Sequence, residues 1–322
     1  MLAGGVQHES QFSLGSFGLH VIFTMTATVV STTPRDDTGS LLPEKEPNSN
    51  DVTTSINYYD DPGDGSPPEP VVVKTTTVTN KRSMVAVPVT INDITGREVE
   101  FTLDSHGFQL VRHQDRSASR QDGYKDEAEI EASYYASMEQ LLKDVTGASR
   151  VLIFDHKTRH GPTNWHSLGP GNQAIRGPIL RAHVDQSYRG AEFDLRWYLP
   201  DEADVLLGRR WQIINAWRPI KTIYKDPLAV ADANTVAEQD LVPARIIYED
   251  HERESWTVKQ SPRHRWYFKY AQRPDEVMLI KCYDSQDGVA RRAPHSAFQN
   301  PRHVNDPWRE SIEIRTMVFY DE

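Results

Sequence analysis

The stretch Arg181-Ala-His-Val-Asp-Gln-Ser-Tyr188 contains a histidine and an aspartate two positions apart, His183 and Asp185. Side chains two apart on a β-strand point to the same face of the sheet. One imidazole nitrogen and one carboxylate oxygen could then bind a single metal ion from one side. A second histidine would complete a triad that leaves coordination positions open and suits non-heme Fe(II) oxygenases. The pair alone is weak evidence, because the same spacing occurs at ordinary polar strand ends.

The segments after this pair are mostly short strands separated by turn signals. Two short helices, Arg189–Tyr198 and Glu202–Leu207, come first, and Tyr224–Asp240 is predicted to be a loop. Many strands and few helices after residue 210 predict a mainly β protein, a two-sheet β-sandwich or jelly roll with flanking helices packed outside. The strands predicted here are Arg210–Trp217, Ala244–Tyr248, Trp256–Lys259, Arg265–Tyr270, Glu276–Tyr283 and Ser311–Tyr320.

The segments before the pair add further strands and one amphipathic helix. Lys125–Thr146 has helical spacing, and its apolar side chains form one face that should lie against the outside of a sheet. That face consists of Ile130, Tyr134, Met138, Leu141, Leu142 and Val145. Strands are predicted at Val71–Thr79, Met84–Val89, Arg97–Leu103, Phe108–Val111 and Val151–Phe154. The glycine-rich loop 161–178 contains no G-x-G-x-x-G motif and is therefore not evidence for a nucleotide-binding site.

The composition excludes several functional classes. The chain has 322 residues, a net charge of -10 and a pI near 5.7, which argues against a nucleic-acid-binding surface. The apolar run Phe17–Val30 contains His20 and three threonines and is too short to span a membrane. The single cysteine, Cys282, excludes an internal disulfide and favours a reducing, cytoplasmic location. Residues 31–70 are rich in Ser, Thr, Asp, Pro and Gly and predict a disordered or extended arm.

His295 and the pair Arg309/Ser311 are the candidates for completing the site. His295 follows the strand that ends at Tyr283, and Arg309-Glu-Ser311 opens the final strand. A guanidinium fork and a serine hydroxyl can hold a carboxylate, which is what the distal end of 2-oxoglutarate requires. Arg315 could share the face of Arg309 and is a rival for this role. The joint pattern predicts a site for Fe(II), 2-oxoglutarate and O₂.

Several stretches resemble a fungal family of secondary-metabolism enzymes, the AsaB-type and gibberellin-desaturase-like hydroxylase/desaturase group, whose wider relatives include a cephamycin methoxylase accessory subunit. They are Arg181–Tyr188, Asn215-Ala-Trp-Arg-Pro-Ile220, Asp226-Pro-Leu-Ala229, His295-Ser-Ala-Phe298, Arg309-Glu-Ser-Ile-Glu-Ile-Arg315 and Val318-Phe-Tyr320. The resemblance begins near Val52. It implies a cupin-like double-stranded β-helix, Fe(II) ligands at His183, Asp185 and His295, and a cosubstrate held by Arg309 and Ser311. Some relatives carry methyltransferase labels, but the sequence has no glycine-rich adenosyl-binding loop.

From this resemblance we expect one oxygenase domain over residues 51–322, preceded by a disordered or extended segment, 1–50. Substrate contacts are expected from residues near the metal pair or at neighbouring strand ends: His156, Arg159, Tyr188, Trp217 and Arg218. Each of these has an ordinary structural alternative, a salt bridge or core packing. A basic cluster would suit a carboxylate-bearing substrate.

The expected function is Fe(II)/2-oxoglutarate-dependent hydroxylation, desaturation or oxidative cyclisation of an amino acid, terpenoid or polyketide intermediate. One alternative is a catalytically silent accessory subunit that binds a small molecule. Another is a metal-dependent hydrolase, which would leave Arg309 and Ser311 without a role. The sequence does not predict the substrate or the oligomeric state.

Overall fold

The computed structural model describes residues 49–120 and 123–321 of the chain. Within them, fifteen strands form two sheets. The strands are β1 (Val52–Tyr59), β2 (Val71–Val73), β3 (Val78–Asn80), β4 (Met84–Asp93), β5 (Phe108–Arg112), β6 (Arg150–Arg159), β7 (His183–Val184), β8 (Trp211–Pro219), β9 (Leu228–Ala231), β10 (Leu241–Ile247), β11 (Glu252–Val258), β12 (Trp266–Phe268), β13 (Glu276–Asp284), β14 (His295–Ala297) and β15 (Ser311–Phe319).

The helices are short apart from two. The α-helices are α1 (Leu103–His106), α2 (Glu127–Glu129), α3 (Tyr135–Thr146), α4 (Tyr188–Tyr198) and α5 (Ala203–Leu206), with a π-helical segment, Ile130–Tyr134, between α2 and α3. Short 3₁₀ turns cover Glu98–Glu100, Ala118–Arg120, Trp165–Leu168, Asn172–Ile175, Ala233–Thr235, Glu238–Asp240 and Pro301–His303. None of the described helices is long and apolar enough to cross a membrane.

The two sheets are the layers of a jelly roll. The larger has the strand order β1-β4-β12-β9-β14-β7-β11-β10-β2-β3, and the smaller has the order β5-β13-β8-β15-β6. Their inner faces share one core, in which Trp217 and Met278 of the smaller sheet pack with Leu228 and Val230 of the larger. Because the smaller sheet is covered on both faces, all nine residues of β8 and all nine of β13 are buried. The predicted fold class, mainly β with flanking helices, is confirmed.

The predicted helix over 125–146 is confirmed and covers the outer face of the smaller sheet. Asp126 caps its start by accepting hydrogen bonds from the amides of Ala128 and Glu129. Gly147, at a φ of 72°, ends it in the left-handed conformation that glycine tolerates. Its apolar face packs against strand residues that point outward, including Ile214, Ala216, Leu279 and Ile312.

Three predicted segments differ from the structure. Leu228–Ala231 is a buried strand, β9, and not part of a loop, because it lies between β12 and β14 and has no solvent-facing side to produce an alternating pattern. Residues 52–59, predicted as part of an arm, form β1, whose Ile56 and Tyr58 are buried. The predicted strand at 97–103 is a 3₁₀ turn that leads into α1, where Thr102 and Ser105 form a capping box.

The predicted N-terminal segment, 1–50, lies outside the described residues except for Ser49 and Asn50. The described body begins with the turn at these two residues and continues directly into β1.

Candidate metal and cosubstrate site

The two candidate histidines lie side by side in the larger sheet. His183 on β7 and His295 on β14 are directly paired in antiparallel register, and their ring centroids are 4.4 Å apart. Asp185 follows β7, and its Oδ1 lies 3.4 Å from His183 Nε2. One ligand atom from each of the three residues lies within 4.8 Å of the other two. The sheet register therefore brings together the residues that the sequence analysis selected.

Both imidazoles are oriented by hydrogen bonds from their other ring nitrogen. His183 Nδ1 lies 2.8 Å from the carbonyl oxygen of Arg181, and His295 Nδ1 lies 3.2 Å from that of Ala293. A Nδ1–H that donates to a carbonyl leaves Nε2 unprotonated and free to bind a metal. Burial, and then the neighbouring His183, lower the pKa of His295 to about 4, so this ring is neutral near pH 7.

Asp185 has one oxygen fixed and one available. Its Oδ2 accepts hydrogen bonds from Asn215 Nδ2 at 2.8 Å and from Arg315 Nη2 at 2.9 Å. Burial alone would raise the pKa of Asp185, but the Arg315 charge and the two histidines hold it well below its usual value. The ionised carboxylate thus presents Oδ1 toward the histidines.

Arg315, the rival candidate for the cosubstrate, is already engaged. Besides Asp185, its guanidinium contacts Glu313 at 3.0 Å and Asp155 at 3.3 Å. Three carboxylates around one planar cation fix its position, and they leave Arg309 as the better candidate for binding a further anion.

Arg309 and Ser311 are buried and have unused hydrogen-bonding capacity. Arg309 is 5% exposed, donates from Nη1 to the carbonyl oxygen of Asp226 at 2.9 Å, and lies 5.3 Å from the centre of the Trp217 ring. Its Nε and the Ser311 hydroxyl have no hydrogen-bond partner among the described residues. Burial is the main reason that the pKa of Arg309 is lowered, to about 9. Because buried donors are normally satisfied, the two groups fit a carboxylate that binds between them.

Two cavities that share lining residues border the triad. A small one, of about 20 Å³, is lined by all three triad residues together with Arg309 and Trp217. A larger one, of about 450 Å³, shares His183, Asp185 and Arg159 with it. A volume of this size is in the range of small-molecule sites. The smaller cavity therefore connects the triad to Arg309, and the larger one connects it to a substrate-sized space.

Of the five predicted substrate contacts, the structure brings two to these cavities. Arg159 lines both, and Trp217 lines the smaller. Tyr188 lines neither cavity, and its hydroxyl donates to Glu238 at 2.8 Å.

His156 and Arg218 lie on the outer face of the smaller sheet, away from the triad. His156 Nδ1 is 2.8 Å from the hydroxyl of Tyr135, and Arg218 Nε donates to the hydroxyl of Tyr134 at 2.8 Å. The sequence predicts both at strand ends, but β6 and β8 continue through them. Side chains alternate between the two faces of a strand. His156 therefore points to the opposite face of β6 from Arg159, and Arg218 points to the opposite face of β8 from Trp217.

Sequence reasoning missed three residues at the site: Asn215, Arg176 and Arg181. Asn215 could have been found, because it lies two positions before Trp217 and must share its face of the strand. Arg176 and Arg181 line the larger cavity from the glycine-rich loop and from the segment just before β7. No local pattern identifies them, since both reach the cavity through the path of the loop.

Known proteins of one enzyme family are similar to this chain over most of its length. A family model described as an oxidoreductase/YMDC permease-like domain matches residues 56–319. The hydroxylase/desaturase efuI of Hormonema carpetanum is 37% identical over 84% of this chain and 96% of its own length. The hydroxylase/desaturase CTB9 of Cercospora beticola is 35% identical over 90% of this chain and 92% of its own. A solved structure, the iron and alpha-ketoglutarate-dependent endoperoxidase NvfI, is 26% identical with a TM-score of 0.71, over 84% of this chain and 99% of its own.

Proposed function

Because the chain belongs to the fungal hydroxylase/desaturase family of Fe(II)/2-oxoglutarate-dependent oxygenases, we propose that its three-residue cluster and its buried arginine form the catalytic centre. The enzyme is a non-heme dioxygenase of secondary-metabolite biosynthesis that uses Fe(II), 2-oxoglutarate and O₂. The reaction is hydroxylation, desaturation or oxidative cyclisation of a small-molecule intermediate such as an amino acid, a terpenoid or a polyketide.

In this proposal each polar residue of the site has a distinct task. His183, Asp185 and His295 hold the iron, and Asn215 and Arg315 fix the aspartate. Arg309 and Ser311 would hold the distal carboxylate of 2-oxoglutarate. When bound, the iron and 2-oxoglutarate activate O₂ and provide the oxidising power, with succinate and carbon dioxide as by-products.

The protein's other tasks are to position the substrate and to exclude water from the reacting centre. The small cavity is lined by Trp217 and Leu228 as well as by polar groups, so little water can share it with the reacting centre. Arg159 lies between the two cavities, where it can contact the substrate and the cosubstrate region. The placement of the substrate C–H bond in the larger cavity then decides the outcome of the reaction.

One observation supports the cosubstrate-binding role of Arg309 and Ser311: the Arg309 Nε and the Ser311 hydroxyl are buried and have no hydrogen-bond partner among the described residues. A silent accessory subunit has no need of an oriented triad together with two unsatisfied buried donors. A zinc-dependent hydrolase could use the triad but leaves the two donors unused.

Three further assignments stay predictions. We treat residues 51–322 as one catalytic domain and 1–50 as an extension. We expect a cytoplasmic enzyme whose partner is a small-molecule substrate and not a nucleic acid or a membrane. Cys282 is buried and unpaired, as a reduced thiol in such a compartment would be.

Oxygen uptake and succinate formation test the proposal. The full chain is purified without metal, loaded with Fe(II) or Zn(II), and mixed with 2-oxoglutarate and ascorbate in air, the ascorbate supplying the two electrons that a substrate would otherwise provide. We expect O₂ consumption and succinate formation in equal amounts with Fe(II), and neither with Zn(II) or in the Asp185→Ala variant. Succinate formation that continues in Asp185→Ala would refute the assignment of the centre.

A further inference from the structure

Part of the lining of the larger cavity is basic, and its arginines make few hydrogen bonds to the described residues. Arg176 and Arg181 both line it, and neither side chain makes a hydrogen bond or ion pair within the described parts of the chain. Arg159, which is 6% exposed, makes one side-chain hydrogen bond to the described residues, to the carbonyl oxygen of Gly177 at 3.2 Å. An arginine carries a charge and five donors, so these three side chains leave most of their donors without an acceptor among the described residues.

The carboxylates of the same cavity make no ion pair with these arginines, although Asp155 and Asp185 lie near enough to offset part of their charge. Each is engaged with another group: Asp155 with Lys157 and Arg315, Asp185 with Arg315 and Asn215, Asp194 with Arg253, Glu249 with Thr75, Asp250 with His251, and Glu254 with Ser187. His166 responds to the unbalanced charge. Its pKa is lowered to about 3, first by burial and then by the charges of Arg181, Arg159 and Arg176.

The loop that carries Arg176 is held rigidly against β6. The amides of His160 and Gly161 both donate to the carbonyl oxygen of Arg176, at 3.1 Å and 2.9 Å. A Cβ at Gly161 would lie 1.8 Å from the carbonyl oxygen of Ile175, and one at Gly177 would lie 2.1 Å from that of Pro162. Only glycine permits this approach of two backbones, so the two glycines fix Arg176 at the wall of the cavity.

Another part of the cavity lining is apolar. Val71, Val78 and Trp165 form a buried cluster, against which Val73, Ile179 and Ile246 pack. All six side chains line the cavity. A cavity that combines an apolar lining with arginines that make few hydrogen bonds to the described residues is complementary to a ligand with a hydrocarbon body and an anionic end.

We propose that the substrate of this enzyme is a carboxylic acid whose carboxylate binds among Arg159, Arg176 and Arg181, while its hydrocarbon skeleton lies on the apolar lining around Val71 and Trp165. The proposal rests on the proposed function, because it names the substrate class of that same centre. The carboxylate is a recognition group and is not oxidised. It anchors one end of the molecule so that a C–H bond elsewhere on the skeleton reaches the space beside His183 and Asp185. The cosubstrate carboxylate is held separately by Arg309, which does not line this cavity.

Binding of matched acids and esters tests the proposal. The full chain is loaded with Mn(II) and saturating 2-oxoglutarate under nitrogen, so that the cosubstrate site is filled and no turnover occurs. The probes are 1-naphthoate, 1-adamantanecarboxylate and decanoate, each with its methyl ester and with 1-naphthyl phosphate as a second anion, and binding is measured by calorimetry. We expect at least one acid to bind about tenfold or more tightly than its ester.

Variants test whether the arginines cause the preference for acids over esters. Arg176→Gln, at a partly exposed position, should lose about tenfold in acid affinity with no change for the ester, and Arg176→Lys should recover part of it. Arg189→Gln, a surface arginine outside this cavity, should behave as the wild type. Arg181→Met should raise the melting temperature of the ligand-free protein, because it removes a largely buried cation that has no partner among the described residues.

Three outcomes would overturn the proposal. They are equal affinity for acids and esters, binding of the phosphate but of no carboxylate, and acid affinity unaffected by Arg176→Gln. Its failure is distinguishable from failure of the proposed function. Succinate formation with Fe(II) is measured without these probes, whereas the binding measurement does not depend on catalysis.

Discussion

Removing the Arg309 guanidinium should separate cosubstrate affinity from fold stability. In the free protein this cation is 5% exposed and makes one hydrogen bond, to a backbone carbonyl, and one contact with the face of Trp217. Arg309→Met keeps most of the packing and removes an incompletely paired buried charge. The melting temperature of the cosubstrate-free protein should therefore stay the same or rise.

The affinity for 2-oxoglutarate should fall steeply in the same variant. Truncating one partner of a buried, hydrogen-bonded charge pair costs about 2–5 kcal/mol, which corresponds to a loss of about 30-fold to several thousandfold. Ser311→Ala removes a hydrogen bond to a charged group, worth about 1.5–3 kcal/mol, and should weaken binding by about 10- to 150-fold. Its stability should be unchanged, because the hydroxyl has no partner in the described parts of the free protein.

Calorimetric titration of 2-oxoglutarate into the Mn(II)-loaded protein measures both losses, and thermal unfolding of the free protein measures stability. Arg189→Met, at an exposed arginine, is the matched control. Unchanged affinity in Arg309→Met, or a large drop in its melting temperature, would refute the assignment of this residue to the cosubstrate.

Three further predictions concern the residues around the centre. Arg315→Met leaves the buried Asp185 carboxylate without its cation and removes a cationic partner from Glu313 and from Asp155, which keeps Lys157, so urea unfolding of the metal-free protein should show a loss of about 3–5 kcal/mol; a loss within experimental error would contradict this. His156→Gln should leave kcat/KM for succinate formation unchanged, whereas Arg159→Gln should lower it, because the two side chains lie on opposite faces of β6; equal effects would contradict the register. The pKa of His166 is lowered by burial from 6.5 to about 3, so the folded protein binds fewer protons than the unfolded chain in this window, and stability should fall as pH falls through it. His166→Gln should make that fall shallower by up to about 1.4 kcal/mol per pH unit in pH-dependent urea melts, and an unchanged slope would contradict the assignment.

The candidate iron ligands could be selected from the sequence because short-range geometry determines much of the candidate site. The alternation of a strand puts His183 and Asp185 on one side, and the spacing of Arg309 and Ser311 does the same at the start of β15. What the sequence could not supply was the neighbour of each strand. The pairing of β7 with β14, which brings His295 beside His183, is a long-range property of the fold.

The errors have the same origin. The sequence predicts His156 at the site because the apolar pattern of β6 ends at Phe154. The strand continues to Arg159, so every second side chain of this stretch, His156 among them, points away from the site. Leu228–Ala231 is predicted as loop because a short strand that is buried on both faces shows no alternation. Arg176 and Arg181 give no local signal, since their importance lies in the absence of partners, which only the folded chain reveals.

The most direct test of the centre is an anaerobic titration with Fe(II) and 2-oxoglutarate, followed by absorbance. The wild-type protein should bind one Fe(II) per chain and develop a metal-to-ligand charge-transfer band when 2-oxoglutarate is added. His295→Ala should lose tight iron binding and the band together, while His156→Ala should retain both. Wild-type iron affinity and an undiminished band in His295→Ala would contradict the central claim that His183, Asp185 and His295 hold the metal.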